Sequence, residues 1–503
     1  MGVRRGAHAL KGPKSAAAAA AGLAAALAGC AVGPSYHRPP PPQAPDYGTA
    51  SAPATNAAGE GPAAAAQRLD AGAGIPGEWW TLFESQKLDA LIERSLRGNP
   101  NLAAAQAALR QAQELYRAQR ASLLPAVQGG FDAQRARNPI DTLANPTDLP
   151  QVNPYYNLFT AQLSLSYSPD VFGGTRRSLE AARAGVAATR FQLIAAYVTL
   201  TSNVVVTAVA EGSLRGQLAA TRRALELERE LTATLRQQRA LGTASDLELL
   251  AQQTAEAQTA AQLPPLEKQL GQARDALTAL LGRLPSQEPP ESFELADLTL
   301  PAQLPVSLPS QLIEQRPDVR AAEENLHAAS AEAGVALAAM LPQFSISADT
   351  GSAALAIGRL FTPYTGFWDL GASLTQTLFD AGALIHRHRA ADAALDAAAA
   401  EYRAAVVLAC QNVADTLRAL RADADALAAD DAAAAAARRT FGLARQQFAL
   451  GTISQVALLN AELNYRQAEV ALVQARANRY ADTAGLFQAL GGGWWNRSEA
   501  SFK

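Results

Sequence analysis

The sequence predicts a mainly α-helical chain with a membrane β portion, in which a long antiparallel helical hairpin is used twice and four strands are interspersed. Three observations carry this. The stretch Arg236–Ser245 (RQQRALGTAS) returns as Arg445–Ser454 (RQQFALGTIS), 209 residues on, and ten of the fifteen positions from Arg236 to Leu250 are identical in the second copy. Each copy lies between two long helical patterns, as the turn of a helical hairpin does. Finally, Phe159, Ala161, Leu163, Leu165 and Tyr167 alternate with Thr160, Gln162, Ser164 and Ser166, the period of a strand with one apolar and one polar face.

Composition agrees. Alanine and leucine dominate and aromatic residues are only 6% of the chain, which suits long, closely packed helices rather than thick globular cores. The formal charge is -3, and removing residues 1–29 takes away Arg4, Arg5, Lys11 and Lys14 and leaves -7, so nothing suggests a nucleic-acid partner. Of the two cysteines, Cys410 falls mid-helix and reads as a small packing residue.

Residues 1–29 have the layout of a secretory signal: a basic start, the short apolar run Ala16–Leu27, and Leu27-Ala28-Gly29 before Cys30. The run is too short to span a membrane. Residues 30–77 are rich in Pro and Ala and read as an extended tether without a core.

A first structural repeat is expected over 78–282. Trp79-Trp80-Thr81-Leu82-Phe83 opens a helix stopped at Gly98-Asn99-Pro100, and a second helix runs to Leu124. Strands are expected at 126–137 and 156–167, separated by a Pro/Asn-rich loop. A long helix follows from Thr175 to Leu241, then a turn at Gly242 and a helix to Leu281 that Pro264-Pro265 must kink. Polar residues (Thr199, Ser202, Asn203, Thr207) interrupt its most apolar part, which argues against a membrane helix there. Residues 283–315 form an irregular, Pro-rich segment. The plan then returns over 316–491, with strands at 343–350 and 367–376, a long helix from Ala383, a turn at Gly451 and a last helix to Leu490, before a tail at 492–503.

At the two turns, Gly242 and Gly451 supply the left-handed conformation that ends a helix, and Thr243 and Thr452 are placed to cap the next one. The long helical patterns hold 67 and 68 residues; the two shorter ones of each half sum to 63, so a stacked pair matches one long antiparallel partner. At 1.5 Å per residue such a rod is roughly 100 Å long. The last helix carries a seam with 3-4 spacing through Val456, Leu459, Leu463, Val470, Val473, Ala477, Tyr480, Ala484 and Phe487. Four strands cannot close a membrane barrel, for which about eight is the lower limit, and an open edge is not tolerated in lipid. The chain must therefore borrow strands from copies of itself: two copies give eight and three give twelve.

Several stretches resemble the outer-membrane factors of tripartite efflux systems, in particular the NodT-like lipoprotein branch. They are Cys30-Ala31-Val32-Gly33-Pro34-Ser35-Tyr36, Trp79-Trp80, Arg316-Pro317-Asp318-Val319-Arg320-Ala321-Ala322-Glu323, Leu378-Phe379-Asp380 and Ala489-Leu490-Gly491-Gly492-Gly493-Trp494. The resemblance implies a homotrimer with one twelve-stranded barrel in the outer membrane and a periplasmic α-helical tunnel. It also implies docking to a periplasmic adaptor protein and an inner-membrane efflux transporter. Cys30 would be acylated, with no other cofactor and no metal; Ala31 is not the aspartate of inner-membrane retention, which points to the outer membrane and its lipid.

The resemblance also places function at the two turns. Gly242, Thr243 and Ser245, with Gly451, Thr452 and Ser454, would be the periplasmic tips that the adaptor grips. The periplasmic gate would involve Phe448, Val456 and Asn460. Relatives carry an aspartate where this chain has Asn460, and can carry a Tyr and an Arg where it has Phe448 and Gln447; a ring of Asn attracts cations less than a ring of Asp. Val456 also lies on the seam, so packing is its other reading. The implied role is a passive exit duct for small molecules such as drugs or other toxic compounds, not an enzyme. The alternative is a periplasmic coiled-coil lipoprotein scaffold without a channel, which leaves the four strands unexplained. The spacing of His386 and His388 suits a metal only on a strand, and they fall in a helical pattern, where residues two apart do not face each other.

Overall fold

The computed structural model describes residues 31–48, 54–55, 62–137 and 155–497. The signal segment, Cys30, most of the 138–155 loop and the end of the tail (498–503) lie outside the described residues. The chain forms two compact units.

The first unit, built from 1–38, 111–187 and 324–400, contains a four-stranded antiparallel sheet. Its strands are β2 (Ala126–Arg137), β3 (Tyr155–Tyr167), β5 (Gln343–Ala354) and β6 (Gly366–Thr375), in the order β2-β3-β5-β6. The register pairs Phe131 with Ala161 and Ala161 with Ser352, and Leu163 with Gly129 on one side and Thr350 on the other. Because side chains alternate along a strand and directly paired residues share a face, Val127, Phe131, Leu163, Leu165, Phe344, Ile346, Trp368, Leu370 and Leu374 fall on one face of the sheet. Asp132, Gln162, Ser164, Ser347, Asp349 and Asp369 fall on the other. The apolar face is bare: Trp368 is 80% and Leu370 69% exposed.

Along the chain, helices precede and follow the strands. They are α1 (Gln86–Gly98), α2 (Pro100–Ala121), α3 (Gly174–Ala240), α4 (Asp246–Ala260), α5 (Leu263–Leu280), α6 (Pro309–Gln315), α7 (Pro317–Ala338), α8 (Ala383–Ala449) and α9 (Gln455–Ala489). The two long helices α3 and α8 each have 67 residues. Pro264 and Pro265 do more than kink a helix. They lie in the first turn of α5, where a missing N–H is harmless, and the chain breaks between Ala260 and Leu263.

The second unit, built from 39–110, 188–323 and 401–503, is mostly helical, with one short pair of strands. An aromatic core gathers Trp79, Trp80 and Phe83 against α3 and α9. Trp79 stacks on Phe487 at 5.2 Å, Phe83 meets Tyr480 and Trp80 meets Tyr197. The apolar stretch of α3 is core here: Leu193, Ile194, Val204, Val205 and Ala208 are buried.

The tether expected over 30–77 is not loose where it is described. Residues 68–71 form a strand, β1, pairing in parallel with β4 (Gln303–Val306), so six strands are present among the described residues rather than four. Ala63, Ala64 and Gln67 are buried. The cause is a charged group from far along the chain: Arg479 of α9, itself buried, donates to the carbonyls of Ala63 (2.8 Å) and Ala65 (2.7 Å) and to the Thr55 hydroxyl (3.1 Å). Gln67 donates to Pro301 and Thr483. Low hydrophobicity does not forbid order when a buried guanidinium needs backbone acceptors.

Candidate functional site

Both turns are Schellman motifs of one geometry. In the first, the Thr243 amide donates to the Gln238 carbonyl and the Gly242 amide to Arg239, each at 2.9 Å; in the second, Thr452 donates to Gln447 and Gly451 to Phe448 at the same distance. This satisfies carbonyls that a helix end leaves open. Gly242 and Gly451 have φ of +75° and +72°, the left-handed conformation that glycine adopts without a Cβ penalty.

The threonines do not cap the following helices. The Thr243 and Thr452 hydroxyls donate backwards, to the carbonyls of Gln238 and Gln447. The caps are Ser245 and Ser454, whose hydroxyls accept from the amides of Glu248 and Ala457. Ser245 forms a full capping box, with the Glu248 carboxylate accepting from the Ser245 amide (2.8 Å) and hydroxyl (2.9 Å). These bonds hold the Glu248 carboxyl below the usual carboxylate range. The second turn has Ala457 at the equivalent place and no box. Exposed leucines flank both glycines, Leu241 at 79% and Leu450 at 78%.

The three gate residues separate in space. Phe448 packs against a cluster of Phe441, Ala444, Leu458 and Ala461, together with Leu227 and Leu231 of α3. Val456 and Asn460, one turn apart on α9, are both exposed. The seam near the tip is therefore rotated: Gln455, Leu458, Ala461 and Glu462 are buried, while Val456 is 60% and Leu463 37% exposed. Small and polar residues point inward here, which a search for large apolar residues overlooks.

Above the tips a polar layer joins the two hairpins. Gln455 donates to the Gln252 carbonyl oxygen at 2.8 Å, and Gln252 donates to the Glu228 backbone at 3.5 Å. Glu228 accepts from Thr259 at 2.9 Å and pairs with Arg466 at 2.8 Å. Nothing in the repeat marked these residues. Their sequence signal is no more than a polar residue on a helix face.

Residues 91–283 and 308–492 match the family model described as outer membrane efflux protein. The chain belongs to this family. It is 30% identical over 422 residues to the pyoverdine export outer membrane protein OpmQ of Pseudomonas aeruginosa, covering 83% of this chain and 87% of that protein. It is 30% identical over 484 residues to the toluene efflux pump outer membrane protein TtgF of Pseudomonas putida, covering 95% and 96%. Among solved structures, the outer-membrane channel OprN matches with a TM-score of 0.81 at 28% identity, covering 92% of this chain and all of that one. The Campylobacter jejuni CmeC outer membrane channel shares the fold, with a TM-score of 0.83 at 22% identity, covering 94% and 97%. An outer membrane efflux protein of this fold supplies strands to a β-barrel and helical hairpins to a tunnel. The protein is an exit duct of the outer membrane, extending into the periplasm, and the family is one of channels rather than enzymes.

Proposed function

We propose that three copies of this chain close their sheets into one twelve-stranded barrel, and that small molecules delivered by an inner-membrane transporter leave through it. The open sheet carries this reading. Strands β2 and β6 each have one side without a strand partner among the described residues, and the large apolar side chains cover a single face. Exposed ladder groups and a bare apolar face are tolerated only when the edges pair and the face meets lipid.

In this reading Cys30 carries the acyl chains that tie the protein to the outer membrane. The tips at Gly242, Thr243, Ser245, Gly451, Thr452 and Ser454 meet a periplasmic adaptor. Val456 and Asn460 line the gate, with Phe448 supporting them from the cluster behind. The adaptor favours the open state by contacting it more strongly than the closed one, and the pump supplies the energy. Relatives named for pyoverdine, toluene and antibiotic transport are each about 30% identical to the chain, which supports a duct that does not itself choose its cargo.

The test is electron microscopy and mass determination of the acylated protein purified in detergent. A threefold hollow particle is the expected result. A monomeric or twofold particle would overturn the threefold, twelve-stranded assembly.

A further inference from the structure

The apolar face of the sheet changes character toward one end. Away from their helices, the strands are joined by the 138–154 connection and by the loop 355–365 between β5 and β6. With the helices reaching into the periplasm, that end meets the outer leaflet of the membrane. Alternation places Val127, Gly129, Phe131 and Ala133 of β2 on the apolar face, and then Arg135 and Arg137, in register with Asn157 and Tyr155. Both arginines are exposed, and Arg137 lies over the Tyr155 ring at 5.5 Å. Arg359 stands exposed in the loop. Neither this face of the four strands nor the loop carries a carboxylate: Asp132, Asp349 and Asp369 all fall on the other face.

The loop folds back over the same face. Ser352 is in register with Ala161, and Ala161 with Phe131, so its side chain lies on the apolar side. It is nonetheless 3% exposed. Its hydroxyl donates to Thr365 Oγ1 (2.7 Å) and accepts from the Phe361 amide (3.1 Å). Phe361 and Tyr364 are held at φ of +67° and +72°, an uncommon conformation for aromatic residues. Between loop and strands lies a groove of about 750 Å³, lined by Gly129, Phe131, Leu163 and Ser352 from the sheet and by Phe361 and Thr362 from the loop. Gly129 keeps the groove open without being required by packing: a Cβ there would stand 3.6 Å from the Leu163 side chain, an ordinary contact.

We propose that this groove holds an acyl chain of a phosphate-bearing lipid of the outer leaflet, with Arg135 and Arg137 above it taking the phosphate and Arg359 adding to the positive field. The site rests on the reading that the apolar face meets lipid, and adds where one lipid is held and by what chemistry. The groove is continuous with that face, so the molecules that reach it first are the chains of the surrounding bilayer. An unfilled groove would forfeit dispersion contacts along its whole lining. An apolar groove alone accepts any chain; the guanidinium groups select, because their forked N–H donors match phosphate oxygens in pairs. The absence of carboxylates on this face leaves nothing to repel the anion.

The test is native mass spectrometry of the acylated protein released from detergent, titrated with phosphatidic acid and with diacylglycerol of the same chains, which lacks only the phosphate. Phosphatidic acid should bind about tenfold more tightly. Gly129→Phe, which fills the groove, should weaken both lipids about tenfold, as when about two methylenes of chain are no longer buried. Arg135→Gln with Arg137→Gln should bring phosphatidic acid down to the level of diacylglycerol and leave diacylglycerol unchanged. Equal binding of the two lipids by the wild type, which needs no variant, would overturn the site. So would a variant of either kind that binds like the wild type, or displacement of phosphatidic acid by inorganic phosphate at the lipid's own concentration. The same spectra give the number of subunits, so a protein that assembles in threes without holding lipid overturns this site alone, and a different number bears on the barrel alone.

Discussion

Asn99 and Arg316 hold the same carbonyl in the two halves of the chain. Asn99 Nδ2 donates to the Leu280 carbonyl and an Arg316 guanidinium nitrogen donates to the Ala489 carbonyl, each at 3.0 Å. Leu280 and Ala489 are separated by the repeat distance seen in the tips, and Asn99 and Arg316 each precede the proline that opens the next helix, Pro100 or Pro317. Both side chains therefore close the C-terminal end of a hairpin's returning helix, where carbonyls are left open and the helix dipole is negative. A cation suits that position better than an amide, and Arg316 also pairs with Asp318. Arg316→Ala should cost about 2 kcal/mol and Asn99→Ala about 1 kcal/mol. Thermal unfolding of the two variants side by side checks this. Equal losses would show that the charge contributes nothing at the second junction.

The tip glycines can be replaced without a clash. Nothing lies within 4 Å of where a Cβ would stand at Gly242 or Gly451, so the only penalty is the left-handed backbone. Gly451→Ala should cost about 1 kcal/mol, and Gly451→Asn less, since Asn tolerates this conformation. Gly451→Trp should leave assembly intact while weakening capture of the adaptor and lowering drug resistance. Unchanged resistance with that variant would show that the second tip is not a docking surface.

The two tips should differ in acid. Bonds from Ser245 hold Glu248 below its ordinary value of 4.5, so the stabilisation is present above that value and is lost as pH falls through the lowered one. The second turn has no carboxylate in its cap. Amide exchange, corrected for its intrinsic pH dependence, should show fraying of 245–250 as the Glu248 carboxyl is protonated in acid, while 454–459 is unaffected. Glu248→Gln should remove the difference.

The start of the described chain is clamped. Val32 donates to Phe172, Arg177 reaches the carbonyls of Val32 (3.2 Å) and Gly33 (3.4 Å) and pairs with Glu180, and Tyr36 stacks on His327 at 4.3 Å. A Cβ at Gly33 would stand 2.4 Å from the Gly334 Cα, and one at Gly334 would stand 3.1 Å from the Arg177 stem. Gly334→Val or Arg177→Ala should release the segment, read as new protease cleavage between Ala31 and Arg38 with the sheet intact. Cleavage no faster than in the wild type would show the clamp to be dispensable.

The repeat, the glycine turns and the alternation of β3 were legible because each is local: spacing along the chain is enough to reveal it. The cap is not legible in the sequence for a related reason. Thr243 and Ser245 are both hydroxyl residues within three positions of the glycine, and only the backbone decides which one faces forward. The size of Val456 and Leu463 suggests a seam through them, whereas the packed stripe uses Leu458, Ala461 and the polar Gln455 and Glu462. Residues 54–55 and 62–71 read as structureless because their order comes from Arg479, which no nearby residue announces.

The Arg479 contacts span 416, 424 and 414 residues of sequence. A chain made from its N-terminus therefore emerges with Thr55, Ala63 and Ala65 unable to settle until α9 has arrived, nearly at the end. Contacts of such high sequence separation close slowly. Export thus delivers an open-ended intermediate whose first strand waits for its last helix, and the final seam to close is also the one that certifies a full-length chain. A product truncated before Arg479 would lack the guanidinium that orders its own beginning, and would be left with the loose, unpaired backbone on which quality-control proteases act.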